Sequence, residues 1–353
     1  MTSADTDRGP WTSAFDGVGL SGWRASGDTT SFSVDQGKLV ASGAPGTLYH
    51  AGNGDQPGFQ DFELEATCQA SAGAWARLFF HARSQHSPAQ DGSPSVLINQ
   101  ADRALDGRPE RCQTGSLYRV RNLFKRWIAD DQPFGLRIRH QGRRTQVWLD
   151  DMLVVDTIAP LPTGSSRPSG IFGLHWQAEG GRLQIHELRV RPLAVEAEIL
   201  PAPWDEIDAR LARLQALGFP LIDLHLHLKG ITLDQVLAHS LRTGINVGIA
   251  PNCGLVRGGL PGVTAEAFIC DDAGLDRFRE GVRGQPVFLG MQAEGREWVS
   301  LFSPQAMRRY DYVFTDCLTF DDPAGRRIRL WIPEEVEIEN EQDFMDWYVD
   351  KIV

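Results

Sequence analysis

The sequence predicts a multidomain protein: an all-β sandwich over residues 11–193, a linker and connecting helix at 194–218, and an α/β region over 219–353. Three observations carry that prediction. A chain of 353 residues is long enough for two cores, since domains cluster near roughly 100–200 residues. Up to Leu193 the chain consists of short alternating runs separated by Gly, Pro, Ser and Asp clusters, the grammar of antiparallel strands. After Phe219 the grammar changes to strand, helix, strand, helix.

In the first half, FELEAT, RLFFHAR, GLRIRH, TQVWLDDMLVVD, GIFGL and LQIHELRV each read as a strand. The clearest hairpin has Thr145, Val147 and Leu149 alternating with Gln146, Trp148 and Asp150, and it turns at Asp150–Asp151 before Leu153–Val155. Two prolines and the absence of a period mark AVEAEILPAPW as a linker. Ile207, Leu211, Leu214 and Leu217 then fall at helical spacing and stop at Gly218.

In the second half LIDLHLHLKG reads as a first strand, and TLDQVLAHSLRTG as a helix opened by a Thr232/Gln235 capping box. INVGIAPN, PVFLGMQAEG and YDYVFTDCLTF read as three further strands. LDRFREGVRG, a segment entered through Ser303–Pro304, and EQDFMDWYVDKIV capped by Asn340 read as the intervening and final helices. Four such units make half of an eightfold TIM-type (β/α) barrel, whose usual length of roughly 250 residues implies about 120 more. The expectation is a truncated barrel with some site residues beyond Val353.

Composition narrows the function classes. A net charge of -11 from 46 acidic and 35 basic residues, with no long basic run, disfavours nucleic acid. Neither a secretory leader nor an apolar stretch of the ~18 residues needed for a span is visible, so the expectation is a cytoplasmic protein without a membrane partner. Cys68, Cys112, Cys253, Cys270 and Cys317 are odd in number and lack CxxC spacing, which points to buried thiols.

The sharpest chemical signal is Asp223-Leu224-His225-Leu226-His227. Side chains alternate along a strand, so both imidazoles project from one face, at the strand end where barrel sites are built. Glu294 and Asp316 end the third and fourth strands; a carboxylate beside two histidines would complete a hydrolytic centre holding a divalent metal, zinc or manganese. Lys229, Asn252 and Arg296 follow strand ends as substrate-binding candidates. IDLHLHLKG, AEGREW and FTDCLTF together resemble the amidohydrolase and PHP-like metal-dependent hydrolases. That resemblance implies His225 and His227 as metal ligands and Glu294 as a third; the expected base is Asp316 or a residue absent from the chain.

The blocks Phe15-Asp16-Gly17, Gly22-Trp23, FQDFELEAT, TGSLYRV, VWLDDMLVVD and SGIFGL with LQIHELRVRPL resemble the 3-keto-disaccharide hydrolase domain. The resemblance implies a concanavalin-like jelly-roll sandwich. It also marks departures: Ser95 stands where the family often has an acid, Gln177 where a histidine often follows the SGxFxL strand, with His175 nearby, and Phe79-Phe80-His81 replaces a frequent Phe-Phe-Arg. Asn99, Tyr118, Arg119, Trp148 and Trp176 offer aromatic and hydrogen-bonding surface to a sugar. The expected function is therefore a metal-dependent hydrolase of a carbohydrate or glycoside, with the sandwich holding the sugar. Two alternatives stand beside it: a 3-keto-glycoside hydrolase or lyase in the sandwich, using His81, His175 or Glu179, and a non-catalytic carbohydrate-binding protein.

Overall fold

The computed structural model describes residues 9–27, 29–50, 58–82, 92–101, 110–158, 169–178, 180–194, 209–255, 268–315, 318–322, 326–330, 332–336 and 338–352. The chain divides into two compact units, Met1–Leu221 with Ala238–Asn246, and Ile222–Leu237 with Val247–Val353. The first exceeds the expected sandwich, because it takes in the connecting helix and a nine-residue stretch of the α/β region.

Thirteen strands form the first unit among the described residues: β1 (Thr12–Ser13), β2 (Trp23–Gly27), β3 (Phe32–Asp35), β4 (Lys38–Ser42), β5 (Gly46–His50), β6 (Phe62–Ala70), β7 (Trp75–Ala82), β8 (Ser95–Asn99), β9 (Pro133–Gln141), β10 (Arg144–Leu149), β11 (Met152–Ile158), β12 (Ile171–Trp176) and β13 (Arg182–Pro192). They make two antiparallel sheets, a jelly-roll sandwich. One runs β11-β10-β9-β6-β13-β4-β3 with β1 also on β13; the other runs β2-β5-β12-β7-β8. Alternation explains why they stack. In β9 every second residue is buried, Phe134, Leu136, Ile138 and His140, and in β10 Thr145, Val147 and Leu149. These faces meet Leu48, Leu78, Ile98, Leu174 and Trp176 of the smaller sheet in one core. The expected hairpin is present: Asp150 takes a left-handed φ of 51° and its carboxylate accepts from the Gly135 N–H at 2.8 Å.

The connecting helix is α1 (Ala209–Ala216). Its inward residue is Gln215, 2% exposed, while Leu217 is 57% exposed. The apolar spacing pointed to the leucines, but the Gln215 side chain meets the backbone groups Asn122 N and Gly244 O, which an amide can satisfy and a leucine cannot.

The second unit and its joint with the first contain β14 (Ile222–Leu226), α2 (Leu233–Thr243), β15 (Asn246–Ile249), β16 (Asn252–Cys253), α3 (Asp272–Gly281), β17 (Phe288–Ala293), α4 (Trp298–Leu301), α5 (Pro304–Met307), β18 (Tyr312–Thr315), the β19–β20 ribbon (Thr319–Asp321, Arg327–Arg329) and α6 (Glu341–Ile352). β15 and β16 keep one register on β17, Gly248 opposite Phe288 and Asn252 opposite Gln292, so they are a single strand interrupted at Pro251. β14 lies beyond β15, and β18 pairs in parallel on the other side of β17. The four predicted strands thus stand in sequential order, as an open sheet; among the described residues no barrel closes. At Gly290 an added Cβ would meet the Tyr312 ring at 2.3 Å, so the sheet admits that ring only over glycine. α3 begins three residues earlier than the apolar spacing suggests, because Asp271 caps it by accepting from the Gly274 N–H at 2.7 Å.

Cys68, Cys112 and Cys253 are buried free thiols and Cys270 is exposed; Cys317 lies outside the described residues. Among the described residues no helix is long and apolar enough to cross a membrane.

Candidate functional site

Register places chemistry on the outer face of the five-stranded sheet. Ser26, Thr47, His175 and Arg77 form one row across β2, β5, β12 and β7, with Thr47 and Arg77 buried, and the row ends at Leu97 of β8, which the 115–118 loop covers into the main core. The adjacent row, Leu48, Leu174, Leu78 and Val96, enters the main core. Two residues along, Tyr49 and Phe79 form a separate small cluster, with rings 5.3 Å apart, that marks the face turned from the core. Gly173 lies between them; a Cβ there would meet the Phe79 ring at 2.5 Å, so only glycine lets the ring lie flat across the strand.

His175 is the centre of the row. Its Nδ1 lies 2.8 Å from the Thr47 hydroxyl. Burial, reinforced by the Arg77 charge and opposed by a hydrogen bond with Gln177, lowers its pKa to about 4, so the ring is neutral at pH 7. The Arg77 guanidinium sits 5.5 Å from the Trp75 ring centre and 5.6 Å from that of Tyr118. Trp75 donates to Glu110 at 3.4 Å. Tyr118 arrives on a loop that extends the sheet: Tyr118 N donates to Ser95 O and Leu97 N to Ser116 O, so residues 115–118 add to the edge of β8. Burial and the nearby Glu110 raise the Tyr118 pKa and keep the phenol protonated.

Two expected sugar contacts join this face, Tyr118 and the exposed Arg119, whose guanidinium is 5.2 Å from the Tyr118 ring centre. Two others are corrected. Trp176 neighbours His175 in sequence and therefore faces the opposite way; it is fully buried and donates to Gly43 O at 3.0 Å. Asn99 is also fully buried, its amide tied to Cys112 O and Ala101 N, and holds the chain beneath the site. His81, of the sandwich alternative, points inward and packs 4.6 Å from the His140 ring centre. Glu179 lies outside the described residues. Sequence reasoning missed Thr47, Trp75, Arg77 and Glu110. Arg77 stands two residues before the Phe79-Phe80-His81 run in which an arginine was sought, and β7 has period two, so the signal was there to be read.

In the second unit His225 and His227 share a face, as expected, with ring centres 5.0 Å apart. The His225 Nε2–H donates to Gln292 Oε1 at 2.9 Å, while the Gln292 amide nitrogen donates to Glu294 at 3.3 Å, which fixes the orientation of that amide. His227 donates from Nδ1 to Ala250 O at 2.7 Å, and its side chain also hydrogen-bonds with Gln292. Burial and the nearby Lys229 and His225 lower the His227 pKa, opposed by the Ala250 bond.

Glu294 is buried and receives Asn252 Nδ2, Gln292 and the Thr319 hydroxyl. Asn252 is thereby a buried partner of Glu294 and is corrected as a loop contact. Lys229 and Arg296 are exposed, and Asp316 lies outside the described residues. Among the described residues no three His, Cys, Asp or Glu side chains converge as a metal-binding group.

A sequence profile of the 3-keto-alpha-glucoside-1,2-lyase-like domain matches residues 10–191. The chain belongs to that family. The match coincides with the sandwich that carries Arg77 and His175 and leaves the α/β half outside the family domain. No curated protein matches the chain in sequence. Among solved structures, a candidate glycosyl hydrolase from Parabacteroides distasonis is 14% identical with a TM-score of 0.42, over 55% of this chain and 98% of its own. Carbohydrate-binding module CBM66 from Bacillus subtilis is 17% identical with a TM-score of 0.30, over 47% of this chain and 93% of its own.

Proposed function

We propose that the sandwich binds a 3-keto-glycoside on the outer face of its smaller sheet and opens it by elimination. The observation that carries this reading is the row in which neutral His175 stands directly between Thr47 and Arg77. A ketone at C3 acidifies the C2–H bond. His175 takes that proton, and Arg77 faces the negative charge that develops on the C3 oxygen. The C2–H electron pair becomes the C1=C2 double bond as the bond from C1 to the glycosidic oxygen breaks. Tyr118, held protonated by burial, returns a proton to the departing oxygen. Trp75 and Tyr118 give the sugar ring an apolar wall. The products are an unsaturated 3-ketosugar and a free alcohol, so atoms and charge balance.

The experiment is to incubate the full chain with methyl 3-keto-α-glucoside and follow the conjugated enone by ultraviolet absorption. Enone formation lost in His175→Asn and in Arg77→Gln supports the reading. Wild-type protein that forms no enone, or a His175→Asn variant as active as wild type, overturns it.

A second reading keeps metal-dependent hydrolysis in the second unit, favoured by one observation, the shared strand face on which the His225 and His227 ring centres lie 5.0 Å apart. His225 and His227 would hold zinc or manganese there, with Glu294 beside them, and the ion would lower the pKa of a bound water to about 7. Elemental analysis of the purified chain beside its His225→Ala/His227→Ala variant tests this. Metal lost from the variant favours it; none in either protein removes it.

A further inference from the structure

The loop that brings Tyr118 and Arg119 to the outer face does not stand on the sandwich alone. Arg121 and Asn122 follow it, and both are buried, at 4% and 0% exposed. Every polar group of Asn122 is used. Its Oδ1 accepts from Arg119 N at 2.8 Å, its Nδ2 donates to Gln215 O at 2.9 Å and its backbone N donates to Gln215 Oε1 at 3.0 Å. Its carbonyl accepts from Asn246 Nδ2 at 2.9 Å and from Arg121 Nη1 at 3.0 Å. Gln215 completes the link by donating to Gly244 O at 2.9 Å. The Arg121 guanidinium donates to Gly244 O and to Ser240, capping the carbonyl end of α2. Arg119 reaches Ala216 O at 2.8 Å. Gln215, Ser240 and Asn246 all lie outside the family-matched residues 10–191, yet inside the first compact unit.

This network bears on function because of what it holds. Arg119 has a left-handed φ of 61°, a conformation unfavourable for a long side chain, and the amide of that same residue is gripped by Asn122 Oδ1. Fixing Arg119 fixes Tyr118 beside Arg77. Buried amides in such a lattice have no water to fall back on, so losing one partner leaves others unsatisfied.

We infer that Asn122 and Gln215 are positioning residues for the sugar site: α1 and the 238–246 stretch act as a brace, outside the family domain, that sets the Tyr118–Arg119 wall. The inference rests on the proposed sugar site. Its test uses the full chain, with methyl 3-keto-α-glucoside as probe and amide hydrogen exchange as a second readout. Gln215→Ala is expected to raise KM about tenfold, the order of one buried hydrogen bond. The same variant should also lower kcat several-fold, because Tyr118 supplies the proton to the departing oxygen as well as the wall, and should speed exchange at residues 115–124, leaving β6, β9 and β13 protected.

Unchanged KM with unchanged exchange overturns the inference, and so does faster exchange spread evenly over the sandwich. Should Gln215→Ala fail to fold, Ser240→Ala, which removes one contact to Arg121, decides on the same two readouts with a smaller effect in the same direction. The parent variant separates the two levels. If His175→Asn loses turnover while Gln215→Ala keeps its KM, only the brace falls; if His175→Asn turns over normally, the site and the brace fall together.

Discussion

The two halves of the chain solve the same problem, placing imidazoles on a sheet face, with opposite degrees of enclosure. In the sandwich, β6 meets β13 and β9 over most of its length, and the strands bury one face against a second sheet. His175 therefore sits on a rigid floor and is driven neutral by burial and by Arg77. In the second unit, β14 is exposed over four of its five residues, and Ile222, Leu224 and Val313 lie open. His225 and His227 are there held by a polar chain of Gln292 and Glu294. The difference teaches that an imidazole on a strand is shifted far from its ordinary pKa only where packing removes water from around it.

The largest effect expected from breaking this contrast is on turnover. His175→Asn should lower kcat for enone formation by roughly 10²–10⁴, the usual contribution of a general base. Arg77→Gln should lower it by about 10²–10³, as for loss of an oxyanion donor. His225→Ala/His227→Ala should leave enone formation within about twofold of wild type, because the proposed elimination uses none of that unit's groups. Steady-state kinetics on the three variants checks the set, and a collapse of enone formation in the double-histidine variant would move the chemistry out of the sandwich.

Stability should divide the halves in the same way. Phe62, about 1% exposed, faces Phe80 across the sandwich core and stacks beside His140, its cross-strand partner on β9. Phe62→Ala should cost about 3–5 kcal/mol. Val313, 38% exposed on β18, should cost under ~1 kcal/mol on truncation to alanine. Urea titration of both variants measures the difference, and equal costs would mean that the second sheet face is covered.

How much of this was legible follows from how far apart the cooperating residues lie. The strand runs after Phe219 and the caps at Thr232, Ser303 and Asn340 all depend on neighbours within four positions, and a single sequence displays such neighbours. The row of Thr47, Arg77 and His175 spans 128 positions between its outer members, and only pairing registers bring it together. For the same reason Trp176 was misplaced: it is one residue from His175, and a strand turns consecutive side chains to opposite faces. The brace was hidden more deeply. Gln215 lies in a helix whose leucine spacing drew attention to the wrong face, and its partners are backbone groups, which leave no pattern in composition.

The pH response should sharpen the comparison further. Burial lowers His50 to about 4, His140 to about 3, with His81 adding to the effect, and His175 to about 4. Each is neutral when folded and takes up a proton on unfolding below its ordinary value of 6.5. Stability of the sandwich should therefore be complete above about pH 6.5 and fall as the pH drops toward 4 and 3, by an amount on the order of a few kcal/mol for the most buried ring. In the second unit His227 is lowered for the same first reason but is more open, so its contribution has the same sign and smaller size. Denaturation followed from pH 8 to pH 3.5 checks this. Turnover should persist to lower pH than an ordinary imidazole base allows, failing as the medium falls through about pH 4; a loss centred near 6.5 would show that His175 is not the base.

The smallest expected effect tests whether the second unit's helices rely on their own ends. Thr232 and Gln235 form a reciprocal box at the start of α2, with Gln235 N donating to Thr232 Oγ1 at 3.3 Å and Thr232 N donating to Gln235 Oε1 at 2.9 Å. Removing the hydroxyl leaves one helix amide without its acceptor, so Thr232→Ala should cost about 1 kcal/mol. The far end of α2 lies in the 238–246 stretch, where Arg121 caps its carbonyls. Because one end is held by a local pair and the other by a buried guanidinium, Thr232→Ala should speed amide exchange over 232–236 and leave 240–244 protected. If exchange rises equally along the helix, its two ends are not independent, and the brace on the sugar loop would then feel a change made at Thr232.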